Sequence, residues 1–100
     1  RLAGEWEIVK VDGQSSNQYF GPNETYFFEF EKDGDFEFGY RETDNGNTYT
    51  YSYSGEWEWE NNKEEIEIEF QGYVIDYEII KLTNKELILE DKKWQRILTI

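Results

Sequence analysis

The chain lacks several residue types that most catalytic sites use. It contains no cysteine, no histidine and no methionine among its 100 residues. Without cysteine, these residues form no disulfide and offer no thiolate for catalysis or for zinc. Without histidine, they lack the commonest general base at neutral pH and the commonest ligand of transition metals. We therefore expect no enzyme activity, no catalytic or metal-binding residues and no cofactor.

Basic residues are also scarce. Ten lysines and arginines stand against 23 aspartates and glutamates, which gives a formal net charge of −13. Binding to nucleic acid or to anionic lipid needs a basic surface, so both are disfavoured. The acidity fits a well-solvated surface, and attraction of cations or of a basic partner is the alternative.

Long apolar runs are missing as well. No run approaches the roughly 20 residues of a membrane-spanning helix, so we expect no transmembrane segment. No signal peptide is visible, yet the chain begins at Arg1 rather than at a methionine. This start predicts that the chain is the interior of a longer precursor whose N-terminal segment is missing.

Aromatic residues are abundant instead. Four tryptophans, eight tyrosines and seven phenylalanines make up 19% of the chain. Each ring buries about 150–250 Å². A chain of this length buries only about 60–65% of its unfolded surface, so it needs such a dense core. Length and composition together predict one domain over residues 1–100.

Apolar and polar residues alternate along almost the whole chain, which is typical of half-buried strands. Turns such as Asp33-Gly34 and Asn45-Gly46 connect neighbouring strands closely, so these strands should pair antiparallel. The pattern predicts an all-β fold, an eight-stranded up-and-down meander that closes into a small barrel. Gly55 should mark a kink or bulge. The predicted strands are 5–11, 25–31, 35–42, 48–59, 64–70, 73–82, 86–90 and 93–100.

One connection is much longer than the others. Residues 12–24 form a predicted loop of about 13 residues that contains Tyr19 and Phe20. Long loops in compact domains are often functional. In a meander this loop lies at the same end as the turns 44–47, 71–72 and 91–93, which we call the loop end. The opposite end, which we call the tryptophan end, receives three of the four tryptophans.

Inward tyrosines gather at the loop end. A buried tyrosine hydroxyl needs a partner or water, so this end should be wet and open. We interpret it as a shallow aromatic cup for a flat, partly apolar ligand or a sugar ring. The alternative is that the rings simply fill a small barrel. The predicted ligand-binding residues are Tyr26, Tyr40, Tyr49, Tyr51 and Tyr73 as walls, with Tyr19 and Phe20 as a lid.

Paired carboxylates have a structural explanation. Pairs such as Glu56/Glu58 and Glu67/Glu69 share the solvent-facing parity of their strands, so they indicate a charged outer face rather than a glycosidase site. Asp33 and Asp35 flank a glycine and offer oxygen atoms to Ca²⁺. Hairpin turn chemistry explains these residues equally well.

Several motifs resemble those of bacterial lipocalin-like domains of the calycin type. They are the Leu2-x-Gly4-x-Trp6 start, the FEFEKDGD hairpin at 28–35, the YSGEW segment at 53–57 and residues 80–90. The resemblance implies a small ligand-binding barrel that is periplasmic or on the cell surface, secreted and lipid-anchored. It also implies that Arg96 packs across Trp6. The chain is shorter than true lipocalins and lacks their helix, so the resemblance supports the fold better than transport of a large ligand.

Three hypotheses remain open on the sequence. The first is a monomeric, non-enzymatic domain that binds a small apolar or aromatic-stacking ligand. The second is a structural or protein-interaction module of the cell envelope with a solid core. The third is an enzyme, which an Asp or Glu on the inward parity of a real cleft would favour.

Overall fold

One antiparallel sheet holds nearly all the regular structure. The computed structural model describes residues 2–100. Within this range the elements are β1 (Gly4–Glu7), β2 (Lys10–Val11), β3 (Gln14–Ser15), α1 (Ser16–Tyr19), β4 (Glu24–Phe30), β5 (Asp35–Asp44), β6 (Asn47–Glu60), β7 (Glu65–Phe70), β8 (Tyr73–Leu82), β9 (Leu87–Asp91) and β10 (Ile97–Thr99). The prediction of an all-β antiparallel fold is confirmed.

The strands follow the order β1-β4-β5-β6-β7-β8-β9-β10-β2-β3. From β4 to β10 each strand pairs with the next one along the chain, as expected of a meander. The predicted eight strands and closed barrel are matched only in part, because the sheet has ten strands. The predicted strand 5–11 is divided into β1 and β2, and β3 lies in the predicted loop.

Because the predicted first strand is divided, its two parts pair with the two opposite ends of the meander. The amide of Ile8 donates to the carbonyl oxygen of Tyr26 at 2.8 Å, and the next amide, of Val9, donates to Thr99 at 2.8 Å. β1 therefore pairs with β4, whereas β2 pairs with β10. The sheet is curled enough for one segment to contact both ends, but the pairing switches between them instead of running along both.

Inward side chains of the meander form the core. The alternation in the sequence assigns this face correctly, because period-two residues share one side of a strand. Phe28 packs edge to face with Phe36 at 5.3 Å between ring centroids. The most deeply buried side chains are Leu2, Val11, Phe30, Phe36, Ile66, Ile68, Leu87 and Leu89.

The tryptophan end is packed. Leu2 is buried there, and its carbonyl oxygen accepts a hydrogen bond of 2.8 Å from Nε1 of Trp6. Trp57 packs against Trp59 with 5.4 Å between ring centroids, and its Nε1 donates to the carbonyl oxygen of Glu31 at 2.8 Å. The indoles of Trp6 and Trp57 therefore both have hydrogen-bond partners, and three of the four tryptophans lie at this end as the sequence predicts.

The predicted bulge at Gly55 is wrong. Gly55 pairs without a shift with Phe36 on one side and Phe70 on the other. Its role is close approach, because a Cβ there would lie 2.2 Å from the carbonyl oxygen of Glu69. The irregularity of the meander lies instead in β8, between Ile79 and Lys81.

Candidate functional site

The hairpin formed by β5 and β6 extends beyond the other strands at the loop end of the sheet. β6 has 14 residues and β7 has six, so β7 reaches only to Gly55. Residues 47–54 of β6 pair with β5 alone. The tight turn at Asn45-Gly46 closes this hairpin with φ values of 51° and 79°, which suit a type I′ turn. The inward face of the meander therefore continues beyond the core as an open wall.

Five of the seven predicted site residues form one row of rings. The ring centroids of Tyr19 and Phe20 lie 4.9 Å apart, and those of Phe20 and Tyr26 lie 4.1 Å apart. The row continues from Tyr26 to Tyr40 at 5.1 Å and from Tyr40 to Tyr51 at 5.9 Å. These separations are those of favourable aromatic pairs, so the row is continuous.

A second row of rings reaches Tyr73. Tyr26 contacts Phe38 at 5.8 Å, Phe38 contacts Phe70 at 5.6 Å, and Phe70 contacts Tyr73 at 6.5 Å. Tyr73 is 68% exposed. Sequence reasoning left out Phe38 and Phe70, although their inward parity is the same as that of the tyrosines and marks them equally well.

The outer part of the wall is exposed on β6. Tyr49, Tyr51 and Tyr53 are 49%, 54% and 47% exposed and follow one another at period two. Tyr49 lies opposite Glu42 and so stands beyond Tyr51 near the hairpin tip. Tyr53 shares their face but is missing from the predicted site.

Two carboxylates lie at the centre of the wall. The hydroxyl of Tyr40 donates to Oε2 of Glu42 at 2.9 Å and lies 3.4 Å from Oε1 of Glu24. The hydrogen bond to Glu42, burial and the charge of Glu24 raise the pKa of Tyr40 above its usual range. Burial, followed by the same two charges, raises the pKa of Tyr26. Both hydroxyls therefore stay protonated at neutral pH, and the wall carries a negative potential.

Sequence reasoning missed Glu24 and Glu42. They face each other across β4 and β5, on the parity of Tyr26 and Tyr40. A strict reading of parity finds them, since every second residue of β5 from Phe36 onward shares one face. The sequence analysis assigned all glutamates to the outer face. Glu24 and Glu42 lie on the inner face, at a level above the core where this face is itself partly exposed to solvent.

The predicted loop 12–24 is partly regular. It contains β3 and the one-turn helix α1, where Oγ of Ser15 accepts a hydrogen bond of 3.3 Å from the amide of Gln18. The helix places the ring of Phe20 against the ring of Tyr26, and Tyr19 remains 40% exposed. The lid is thus packed on the wall at Phe20.

Arg96 holds this segment from the other side. Its guanidinium lies 5.5 Å from the ring of Tyr19 and 3.6 Å from a carboxylate oxygen of Asp12. Oδ1 of Asp12 also accepts a hydrogen bond of 2.7 Å from the amide of Ile97. The expected packing of Arg96 across Trp6 is therefore wrong, because Arg96 lies at the loop end and Trp6 at the opposite one.

The sequence of the chain matches the family of the lipocalin-like domain over residues 2–89. The chain belongs to this family. The match covers the Gly4-x-Trp6 start, the 28–35 hairpin and the whole tyrosine wall, and confirms the resemblance found in the sequence. Searches of curated proteins and of solved structures found no match. Among residues 2–100, no helix has the length and apolarity required to cross a membrane.

This lipocalin-like domain has a groove beside the wall, between the start of β8 and the β9–β10 turn. The groove has a volume of about 590 Å³ and includes Tyr73, Val74 and Trp94 in its lining. Val74 and Trp94 are 57% and 72% exposed. The groove arises because β8 begins before its pairing with β9, so the β9–β10 turn folds alongside.

The outer face of the lipocalin-like domain carries rows of facing carboxylates. Glu67 lies opposite Glu58 on β6 and opposite Asp76 on β8. Burial and then the charges of Asp76 and Glu58 raise the pKa of Glu67, and burial and a hydrogen bond with Asp76 raise that of Glu60. The carboxylates of Glu58, Glu60 and Glu67 bring oxygens within 4.8 Å of one another.

A second carboxylate group lies in the turn between β4 and β5. Glu31, Asp33 and Asp35 bring oxygens within 4.8 Å of one another, and all three are exposed. Oδ1 of Asp33 accepts a hydrogen bond of 3.0 Å from the amide of Asp35. The arrangement offers oxygen ligands of the type that Ca²⁺ takes, and the same bond belongs to the turn itself.

Proposed function

We propose that this lipocalin-like domain is a non-enzymatic binding domain that takes a flat, partly apolar small molecule or a sugar ring on its tyrosine wall. One observation carries the proposal. The rings from Tyr19 to Tyr51 form an unbroken row that begins in the lid and ends on a face that is about half exposed.

The wall suits ligands of a particular chemistry. Flat rings stack on tyrosine faces, and each good aromatic pair contributes about 0.5–1.5 kcal/mol beyond buried area. Glu24 and Glu42 accept hydrogen bonds, so they favour ligands with hydroxyl or amine donors. The net charge of −13 opposes anionic ligands.

We assign the predicted site residues to distinct parts of the wall. Tyr26 and Tyr40 form its base, where both rings are half-buried. Tyr49, Tyr51 and Tyr73 offer exposed ring faces, and Tyr19 and Phe20 form the lid. Tyr53 joins this set because it lies between Tyr51 and the core on the same face of β6.

The wider context is part of the proposal. We infer that residues 1–100 form a single domain and that the curled sheet is a barrel closed through the segment around Ile8 and Val9. The support is the pair of hydrogen bonds from Ile8 to Tyr26 and from Val9 to Thr99. Membership of the lipocalin-like family supports a periplasmic or cell-surface location, with lipid anchoring through a preceding segment.

An NMR titration tests the binding site. The ¹⁵N-labelled protein is titrated with neutral N-phenyl-1-naphthylamine and with cellopentaose. We expect amide shifts to concentrate in residues 24–26, 40–42 and 49–53. Tyr51→Ala should weaken binding about tenfold, because it removes a stacking ring. Thr50→Ala, on the opposite face of the same strand, is the matched control and should bind like the wild type.

Two outcomes would refute the site. Shifts confined to other parts of the sheet would place the ligand elsewhere. Equal weakening by Tyr51→Ala and Thr50→Ala would show that the wall contributes no specific contact.

A structural or interaction module remains the second candidate. It is favoured by the packing of Phe20 on Tyr26, because this ring fills the space above the base of the wall. The core beneath is built from tightly buried rings such as Phe30 and Phe36. If neither neutral ligand perturbs any amide at millimolar concentration, this second candidate replaces the first.

A further inference from the structure

The β9–β10 turn carries a tryptophan that takes no part in the core. Trp94 is 72% exposed, whereas Trp6, Trp57 and Trp59 are half-buried and pack against the core at the tryptophan end. Tryptophan is enriched in binding sites because its ring offers a large, rigid contact area. Most of the Trp94 ring is therefore available to a ligand.

The turn that carries Trp94 is held in place by hydrogen bonds. Oδ1 of Asp91 accepts from the amide of Lys93 at 2.9 Å and from the amide of Trp94 at 3.2 Å. The amide of Lys92 donates to the carbonyl oxygen of Asp76 at 3.0 Å, which joins the turn to β8. The exposed ring is thus preorganised, and a preorganised group loses less conformational entropy when a ligand binds.

The groove beside this turn has a mixed lining. Its volume of about 590 Å³ is that of a small-molecule site. Tyr73 and Trp94 contribute aromatic rings, and equal numbers of acidic and basic residues contribute charge. The charged residues are Asp76, Asp91, Lys92 and Lys93. Their charges balance although the whole chain carries −13, so a neutral ligand that both donates and accepts hydrogen bonds fits this lining.

Tyr73 belongs both to the groove and to the tyrosine wall. Its ring lies 6.5 Å from that of Phe70, through which it joins the second row of the wall. Tyr51 stands four residues beyond Gly55 on β6, and Gly55 pairs with Phe70, which pairs with Tyr73. At about 3.3 Å per residue and 4.8 Å between strands, the Cα atoms of Tyr51 and Tyr73 are about 16 Å apart. A ligand that contacts both the wall and the groove must therefore be extended.

We propose that the domain binds an extended neutral glycan, with one sugar ring stacked on Trp94 in the groove and other sugar rings on the tyrosine wall. This inference rests on the proposed function, because the wall supplies the remaining contacts. It narrows the ligand from a flat, partly apolar molecule or single sugar to an oligosaccharide. The apolar faces of sugar rings stack on aromatic rings, and the hydroxyls at their edges pair with carboxylates and ammonium groups.

The charged groups along this path favour a glycan over a hydrocarbon chain. An acyl chain that covered the wall would lie against Glu24 and Glu42 without giving them a hydrogen bond. In the groove it would do the same to Lys93. Covering a charge without a partner is costly. Glycan hydroxyls supply donors for the carboxylates and acceptors for the ammonium group.

Titration of the ¹⁵N-labelled protein with cellopentaose reports the groove and the wall together. The Nε1–H resonance of Trp94, which is assigned by its loss in Trp94→Phe, reports the groove. The amides of residues 49–53 report the wall. We expect both sets to shift with the same dissociation constant and to saturate with one cellopentaose per chain, because one glycan occupies both surfaces.

Substitutions at the two ends distinguish one spanning ligand from two independent sites. Trp94→Ala should weaken cellopentaose binding about tenfold when it is measured at the wall amides, and Trp94→Phe should retain most of the affinity. Tyr51→Ala should weaken the response of Trp94 by a similar factor, although it leaves the groove intact. Ile80→Ala removes another exposed apolar side chain, outside the groove and the wall, and is the matched control that should bind like the wild type.

Three results would overturn the inference and leave the proposed function standing. Wall amides that respond to cellopentaose while Trp94 does not would exclude the groove. Two different dissociation constants, each changed only by the variant at its own surface, would show separate sites. A wall that responds to N-phenyl-1-naphthylamine but not to cellopentaose would exclude a glycan. The proposed function itself fails if the wall responds to neither compound, and this inference fails with it.

Discussion

Replacing Gly39 with alanine would force a methyl group into the space of a buried ring. The new Cβ would lie 1.8 Å from the ring of Phe27, which sits opposite Gly39 on the outer face of the sheet. Phe27 is only 5% exposed because it lies over this gap, with the guanidinium of Arg41 4.1 Å from its centroid. Arg41 is in turn paired with Glu5.

The cost of Gly39→Ala follows from this arrangement. Expelling the ring of Phe27 loses about 1.5–3 kcal/mol of apolar burial. Loss of the contact with Arg41 adds about 0.5–1 kcal/mol. We therefore expect Gly39→Ala to lower the free energy of unfolding by about 2–4 kcal/mol, which corresponds to a fall in Tm of roughly 10–25 °C for a domain of this size.

A double-mutant cycle isolates this mechanism. In a Phe27→Ala background the clash is absent, so Gly39→Ala should be neutral or stabilise the fold by a few tenths of a kcal/mol, up to about 1 kcal/mol. Urea unfolding followed by circular dichroism measures all four proteins. If Gly39→Ala still costs more than about 1 kcal/mol without the ring of Phe27, the close contact is not the reason for this glycine.

Two other predictions concern charge and the wall. Glu29, Glu60 and Glu67 have raised pKa values through burial and neighbouring carboxylates, so stability falls as pH rises through these values above 4.5. Urea unfolding should therefore show higher stability at pH 5 than at pH 7 in low salt, with a smaller difference in 0.5 M NaCl; a larger stability at pH 7 would contradict this. Tyr40→Phe removes the hydroxyl that donates to Glu42 and should lower the free energy of unfolding. In the NMR titration, Tyr40→Phe should bind cellopentaose more weakly than the wild type. Unchanged stability and unchanged binding would refute the role of the Tyr40 hydroxyl.

Strand positions and faces were predictable because they depend on local alternation. The buried parity of β4, β5 and β7 follows directly from residues such as Phe28, Phe36 and Ile68. The predicted lengths of residues 48–59 and 64–70 already imply an unequal pair of strands. The overhang of β6 beyond β7 could therefore be predicted from the sequence, although the sequence analysis did not infer that it leaves Tyr51 exposed.

Features that depend on the curvature of the whole sheet were not predictable. The switch of partner between Ile8 and Val9 arises because the two ends of the meander converge on one segment, and alternation does not encode this distance. The prediction that Arg96 packs across Trp6 was wrong for the same reason. Gly55 was misread because a glycine in a strand serves close approach as well as bulges, and only the packing of Phe70 distinguishes the two.

The partner switch at Ile8 and Val9 has a consequence for the order of folding. Hairpins from β4 to β9 join strands that are neighbours in the chain, so they can form by local steps. The bond from Val9 to Thr99 closes nearly the whole chain at once, and its loop entropy is repaid only after the meander exists. Closure is then the late step of folding, so weakening these contacts accelerates unfolding and leaves the folding rate nearly unchanged.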